Sequence, residues 1–244
     1  MIRSLIFLAF AVALSSQALA AEKYKVASDC TWPPMEMLDA QKQPDGYSID
    51  YLKEMAKNGD IDFDFLNIAW DGVFGGVATG KYDVVASSTT ITPERKLQFD
   101  FSDPYYEVVQ AVVLPAGQKI DSLDELKGKK VGGQIGTTGI FVMRKADVGA
   151  DIREYDDVGL AIQDLVGGRL DAVICDDPVA MYYVRKKPDT AGKIDLSYKT
   201  DDPEYYGFTV RKGRSDLVEK LNAGIKRMRE SGKEAELKKK WMGE

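Results

Sequence analysis

Two stretches decide the fold: GKYDVVAS (80–87) and GRLDAVIC (168–175). They share one grammar of a glycine, a basic residue, an apolar residue and an aspartate, followed by a short apolar run suited to a buried strand. What precedes each is also alike. Before the first, KYKVAS (23–28) reads as a strand, and SIDYLKEMAK (48–57) carries Ile49, Leu52, Met55 and Ala56 at helical spacing. IDFDFL (61–66) then alternates as a half-buried strand does, and WDGVFGGVATG (70–80) reads as a helix. Before the second, a strand after Gly128 leads into Gly136-Thr137-Thr138-Gly139 and a helix, and 157–167 reads as a further helix. Strand and helix alternate twice, which predicts an α/β fold of two lobes, each a mainly parallel sheet flanked by helices. QAVVLP (110–115) and YYGFTV (205–210) are the expected crossing strands that join them. The amphipathic stretch 216–241 is expected to return as one helix over the first lobe. The expected division is therefore 21–112 plus 207–244 for lobe 1, and 113–206 for lobe 2.

Residues 1–20 read as an export leader. Arg3 gives a positive start, LIFLAFAVAL (5–14) an apolar stretch, and Ala18-Leu19-Ala20 the small-x-small pattern of a cleavage site. That apolar stretch is shorter than the roughly twenty residues needed to span a bilayer. The expected product begins at Ala21, carries no lipid-anchoring cysteine there, and is exported and soluble.

Composition removes whole classes of function. The 244 residues contain no histidine, which excludes Ser-His-Asp and Cys-His catalysis and every His-ligated metal site. Two cysteines cannot form the usual structural zinc site, and no cofactor is expected. A net charge of −6 with scattered basic residues argues against nucleic acid as a partner. The basic run Lys238-Lys239-Lys240 reads as a solvated helix end near the negative pole of the helix dipole.

The chemistry concentrates in SSTTITPER (87–95). Thr92 is a good helix N-cap and Pro93 suits the first helical position. A helix start attracts an anion, and the planar fork of Arg95 can grip a carboxylate with two parallel hydrogen bonds. Ser88 and Thr90 offer hydroxyls just before. An ordinary capped helix with a surface arginine would read the same in isolation.

The longer run TTITPERKLQFDFSDPYY (89–106) resembles the signature of the periplasmic polar amino-acid-binding proteins, the type 3 solute-binding family of ABC transporters. DGYSID (45–50), Gly136-Thr137-Thr138 and GRLDAVICDDPVAMYY (168–183) resemble it as well, in the right order and across nearly all of the chain. The resemblance implies capture of a free amino acid, polar or basic, between two lobes that close over it, and delivery to an ABC permease at the inner membrane. It implies Arg95 for the ligand carboxylate, with Ser88 and Thr90 beside it. It implies Asp176 for the α-ammonium, and Thr137 with Thr138 for further carboxylate contacts. Trp32 and Trp70 would wall the side-chain pocket, Asp29 would meet a polar or cationic side chain, and Gln134 and Cys175 would line the rest. A monomer is expected.

Two other functions stay open at this level. Cyclohexadienyl dehydratases resemble these binding proteins and carry a glutamate as acid three residues after the aspartate that matches Asp176; here that position is Val179. A soluble adaptor for a chemoreceptor would look the same as a transport protein. Cys30 and Cys175 fall one in each lobe. An exported protein could join them, and the reading favours two separate, partly buried thiols.

Overall fold

The computed structural model describes residues 22–57 and 61–243; the leader expected at 1–20 lies outside them. The first part of the chain runs β1 (Glu22–Ser28), β2 (Met37–Leu38), β3 (Pro44–Asp45), α1 (Tyr47–Lys57), β4 (Ile61–Asn67), α2 (Trp70–Thr79) and β5 (Val84–Val85). It continues through α3 (Pro93–Gln98), β6 (Phe99–Phe101), β7 (Tyr106–Val108) and β8 (Gln110–Pro115). A 3-10 turn (Leu123–Leu126) precedes β9 (Lys130–Gln134), α4 (Thr138–Ala146), β10 (Asp151–Tyr155), α5 (Val158–Val166), β11 (Ala172–Asp176) and α6 (Asp177–Arg185). The last elements are β12 (Ile194–Lys199), β13 (Glu204–Tyr206), β14 (Thr209–Arg211), α7 (Ser215–Glu230) and α8 (Lys233–Met242).

Two five-stranded sheets result, ordered β4-β1-β5-β14-β6 and β10-β9-β11-β8-β12. The two-lobed α/β reading stands, and each sheet is mainly parallel: four of its five strands run one way, and one, β14 or β8, runs against them. In the first, β1 lies parallel to β4 and β5, while β14 runs antiparallel to β5 and β6. In the second, β9 lies parallel to β10 and β11, while β8 runs antiparallel to β11 and β12. The parallel pairs follow helix crossovers; β14 and β8 each enter their sheet from the other lobe, with no helix between, and so run the other way.

The crossing itself differs from the expectation. QAVVLP is β8, paired on both sides within the second sheet, so Gln110, Ala111 and Val112 belong to that sheet and not to lobe 1. Its nearly unbroken burial is that of a central strand. The lobes are joined one step earlier, where β7 pairs antiparallel with β13. The single C-terminal helix expected at 216–241 is two helices, broken where Gly232 takes φ 76°. Here α8 returns to the first lobe: Tyr51 donates to Glu234 (2.8 Å), and both Lys240 and Trp241 Nε1 donate to Asp50 (2.6 and 2.9 Å). No helix among the described residues is long and apolar enough to cross a membrane.

Candidate functional site

The first wall of the site is the loop that follows β5. Thr92 caps α3 by accepting the Arg95 N–H (3.2 Å), and Pro93 opens the helix. This sets Arg95 pointing back along the loop, where Nη1 donates to the Thr90 carbonyl (2.9 Å). Its guanidinium lies over the rings of Trp70 and Phe74, 5.6 and 5.4 Å from their centroids. Ser88 holds a left-handed φ of 45°. Glu36, wholly buried, fixes it by accepting from its N–H (3.1 Å) and its hydroxyl (2.9 and 3.0 Å). The loop is also stitched to the linking strand, by Ile91 N–H to Tyr205 O (2.8 Å) and Gly207 N–H to Thr89 O (3.1 Å).

The second wall comes from two strand ends. β9 turns through Gly136, at φ 71°, into Thr137 and α4. The Thr137 hydroxyl donates to Gln134 O (2.7 Å) and does not cap the helix. β11 ends at Asp176, which begins α6 without using its side chain as a cap. That carboxylate instead accepts Trp32 Nε1 (3.2 Å) and the Tyr206 hydroxyl on one oxygen, and Gln110 Nε2 (2.5 Å) on the other.

The walls meet. Trp32 reaches Asp176, Gln134 Nε2 donates to Asp29 (2.9 Å), Arg95 Nη2 donates to Gly136 O (3.1 Å), and the hydroxyls of Thr90 and Thr138 lie 3.3 Å apart. Between them is a cavity of about 310 Å³, counting its mouth. Asp29, Trp32, Trp70, Ser88, Thr90, Arg95, Gln134, Thr137, Thr138 and Asp176 all line it, together with Ser87. Cys175 does not. Neighbours along a strand face opposite ways, so the turn that brings Asp176 into the cleft sends Cys175 into the core with Val179 and Tyr183. Cys30 and Cys175 are both buried free thiols.

Sequence reasoning missed the groups behind the lining: Glu36, Gln110, Glu204 and Tyr206. Two signals were present. Glu36 is a carboxylate between Met35 and Met37, and Glu204 and Tyr206 sit two apart on a strand, hence on one face.

Burial governs the electrostatics. It pushes the Asp176 carboxyl up to about 7, with the nearby charge of Glu204 adding to the effect and the bonds from Tyr206, Gln110 and Trp32 opposing it. Burial also raises Asp29, against the bonds from Gln134 and Thr31, and raises Glu36 well above the usual carboxylate range. It lowers Arg95, which the charges of Asp176 and Glu204 partly offset. The cavity thus holds a cation from one lobe and an acid from the other, each under-solvated, and suits a small molecule that carries both charges.

Comparison with known proteins agrees with this geometry. Residues 24–244 match the model of the bacterial extracellular solute-binding proteins, family 3. The "Probable histidine-binding protein" of Neisseria gonorrhoeae is 38% identical over 213 residues, 86% of this chain and 79% of that one. The L-cystine-binding protein TcyJ of Escherichia coli K12 is 32% identical over 220 residues, covering 89% and 82%. Among solved structures, an ancestral arginine-binding protein bound to arginine superposes with a TM-score of 0.84 at 38% identity, over 90% of this chain and 97% of that one.

Proposed function

Because this chain belongs to the family 3 bacterial extracellular solute-binding proteins, we propose that it captures a free polar or basic L-amino acid between its lobes and delivers it to an ABC importer. One observation carries the reading: Arg95 from the first lobe and Asp176 from the second line the same cavity. Arg95 takes the ligand carboxylate through the guanidinium donors not used on Thr90 and Gly136. Asp176 takes the α-ammonium. Arg95 and Asp176 come from different lobes, so a ligand that spans them stabilises the closed arrangement and the permease meets a closed, loaded protein. Trp32 and Trp70 wall the cavity, and Asp29, held by Gln134 and Thr31, awaits a nitrogen-bearing side chain. The chain acts in the periplasm after losing its leader.

The protein is non-catalytic on this reading. An elimination needs a proton donor at the substrate. Val179, which stands where the related dehydratases keep theirs, is an apolar residue with no exposed surface. A thermal-shift screen against the common amino acids tests the proposal. A bound amino acid raises the unfolding temperature as its concentration exceeds Kd. If no amino acid does so, capture of an amino acid is wrong. Turnover of prephenate or arogenate by the purified protein would contradict the non-catalytic reading.

A further inference from the structure

Glu204 projects from β13, the strand that links the lobes, to the point where both walls of the cleft meet. Its carboxylate accepts from the Thr138 hydroxyl (2.6 Å), from Thr90 (3.3 Å) and from Gln110 Nε2 (3.2 Å). Gln110 Nε2 also donates to Asp176 (2.5 Å) and to Thr138 Oγ1 (3.1 Å), so one amide joins both acids and one threonine. Thr90, Thr138 and Asp176 line the cavity, with Glu204 directly behind them.

We propose that Glu204 is a positioning residue for the ligand's α-ammonium, drawing the hydroxyl protons of Thr90 and Thr138 away from the cleft so that both oxygens face it as acceptors. The inference rests on the amino-acid reading above. An ammonium has only donors, whereas a threonine hydroxyl has one proton and two lone pairs. A hydroxyl proton aimed at the ammonium would repel it. Thr138 commits its proton to Glu204 and receives Gln110, which leaves a lone pair for the cleft. The Thr90 proton goes to Glu204, away from the cavity, so the second Thr138 lone pair stays free. With the Asp176 carboxylate, the two oxygens give an ammonium three acceptors. Two neighbouring acids, Asp176 and Glu204, also face a single nearby guanidinium, Arg95, so an entering ammonium supplies a charge the site is short of.

The test is calorimetry on wild type, Glu204→Gln and Glu204→Asp. The probes are L-arginine, L-histidine, L-glutamine and L-cystine, each beside its counterpart without α-amino groups: guanidinovalerate, imidazolepropionate, glutaramate and dithiodipropionate. For every amino acid that wild type binds, Glu204→Gln should weaken binding roughly tenfold or more, the weight of a charge-assisted hydrogen bond. The counterpart acid should bind as before or better. Glu204→Asp, which keeps the charge, should recover part of the loss. The pH profile gives a second readout. Asp176 is faced by Glu204 and Tyr206 on β13, Gln110 on β8, Trp32, Arg95 on α3, and its neighbours Cys175 and Asp177. Of these, Glu204 is the one whose negative charge helps burial to hold the Asp176 carboxyl up. Its loss should move the acid limb of amino-acid binding to lower pH. Equal weakening of an amino acid and its counterpart, with the limb unmoved, would make Glu204 merely structural and overturn the proposal. Unchanged affinity in Glu204→Gln would overturn it too, while leaving amino-acid capture intact. If wild type binds none of the four, the other common amino acids are tried in the same way, and if none binds, both fall.

Discussion

Replacing Arg95 by alanine removes the cation that the proposed carboxylate clamp depends on. Two of its bonds are already committed, to Thr90 O (2.9 Å) and Gly136 O (3.1 Å), and its flat face lies over Trp70 and Phe74. The ligand carboxylate would then be buried without its partner. Losing one member of such a buried pair costs about 2–5 kcal/mol, a weakening of roughly thirtyfold to several thousandfold. The fold itself should lose less, about 1–2 kcal/mol, from the stacking and the two carbonyl bonds. Arg95→Lys keeps the charge without the fork and should fall between alanine and wild type. Calorimetry with the amino acid that gives the largest thermal shift measures the first quantity, and urea unfolding of the ligand-free variants measures the second. An Arg95→Ala protein that binds as tightly as wild type would show that the residue only braces the loop to Trp70 and Gly136, and the carboxylate assignment would be wrong.

The remaining predictions concern the acid, the thiols and one turn. Asp176 is raised to about 7 from an ordinary 3.8, so its ionised form burdens the closed fold as pH rises through that window, while ammonium capture needs that same form. Amino-acid affinity should therefore fall as pH drops below about 7, and affinity that is flat or rises there would refute the assignment. Asp176→Asn should stabilise the ligand-free protein at alkaline pH by up to about 4 kcal/mol, seen as a higher unfolding temperature, yet weaken amino acids more than acids lacking an ammonium. Cys30, pushed up to about 12 by burial, and Cys175, held by burial well above the usual thiol range, should resist thiol reagents in the native protein and both react in denaturant without reductant; thiols that stay silent in denaturant would reveal a disulfide. Gly46, at φ 121°, would place an added Cβ 2.3 Å from the Met35 carbonyl oxygen, so Gly46→Ala should cost about 2 kcal/mol or more in urea unfolding. A change of a few tenths would mean that the turn relaxes freely.

The features legible in the sequence were those set by local pattern. Thr92-Pro93 announced the helix that orients Arg95, and the two strand phrases announced the ends that carry Ser88 and Asp176. Less legible was anything decided by a partner far along the chain. QAVVLP has the composition of either a crossing or a central strand, and only its pairing with β11 and β12 settles which. Parallel and antiparallel neighbours look alike in a short apolar run. Gly232 could sit within a helix or end one; its left-handed φ and the docking of α8 on Asp50 decide. The groups behind the site were hidden for the same reason: Glu36 meets Ser88 across 52 positions and Glu204 meets Thr90 across 114, distances over which sequence spacing says nothing about contact. The resemblance placed Cys175 in the pocket, whereas the strand's alternation gives it and Asp176 opposite surroundings.

The account's central claim is that one amino acid is gripped by a cation from one lobe and an acid from the other. A crystal structure of the protein with the amino acid that most raises its unfolding temperature tests this directly. The account predicts the ligand carboxylate in hydrogen-bond contact with the Arg95 guanidinium and the α-ammonium in contact with Asp176, inside the cavity between Trp32 and Trp70. A ligand bound outside that cavity, or bound within it with neither charge on its assigned partner, would contradict it.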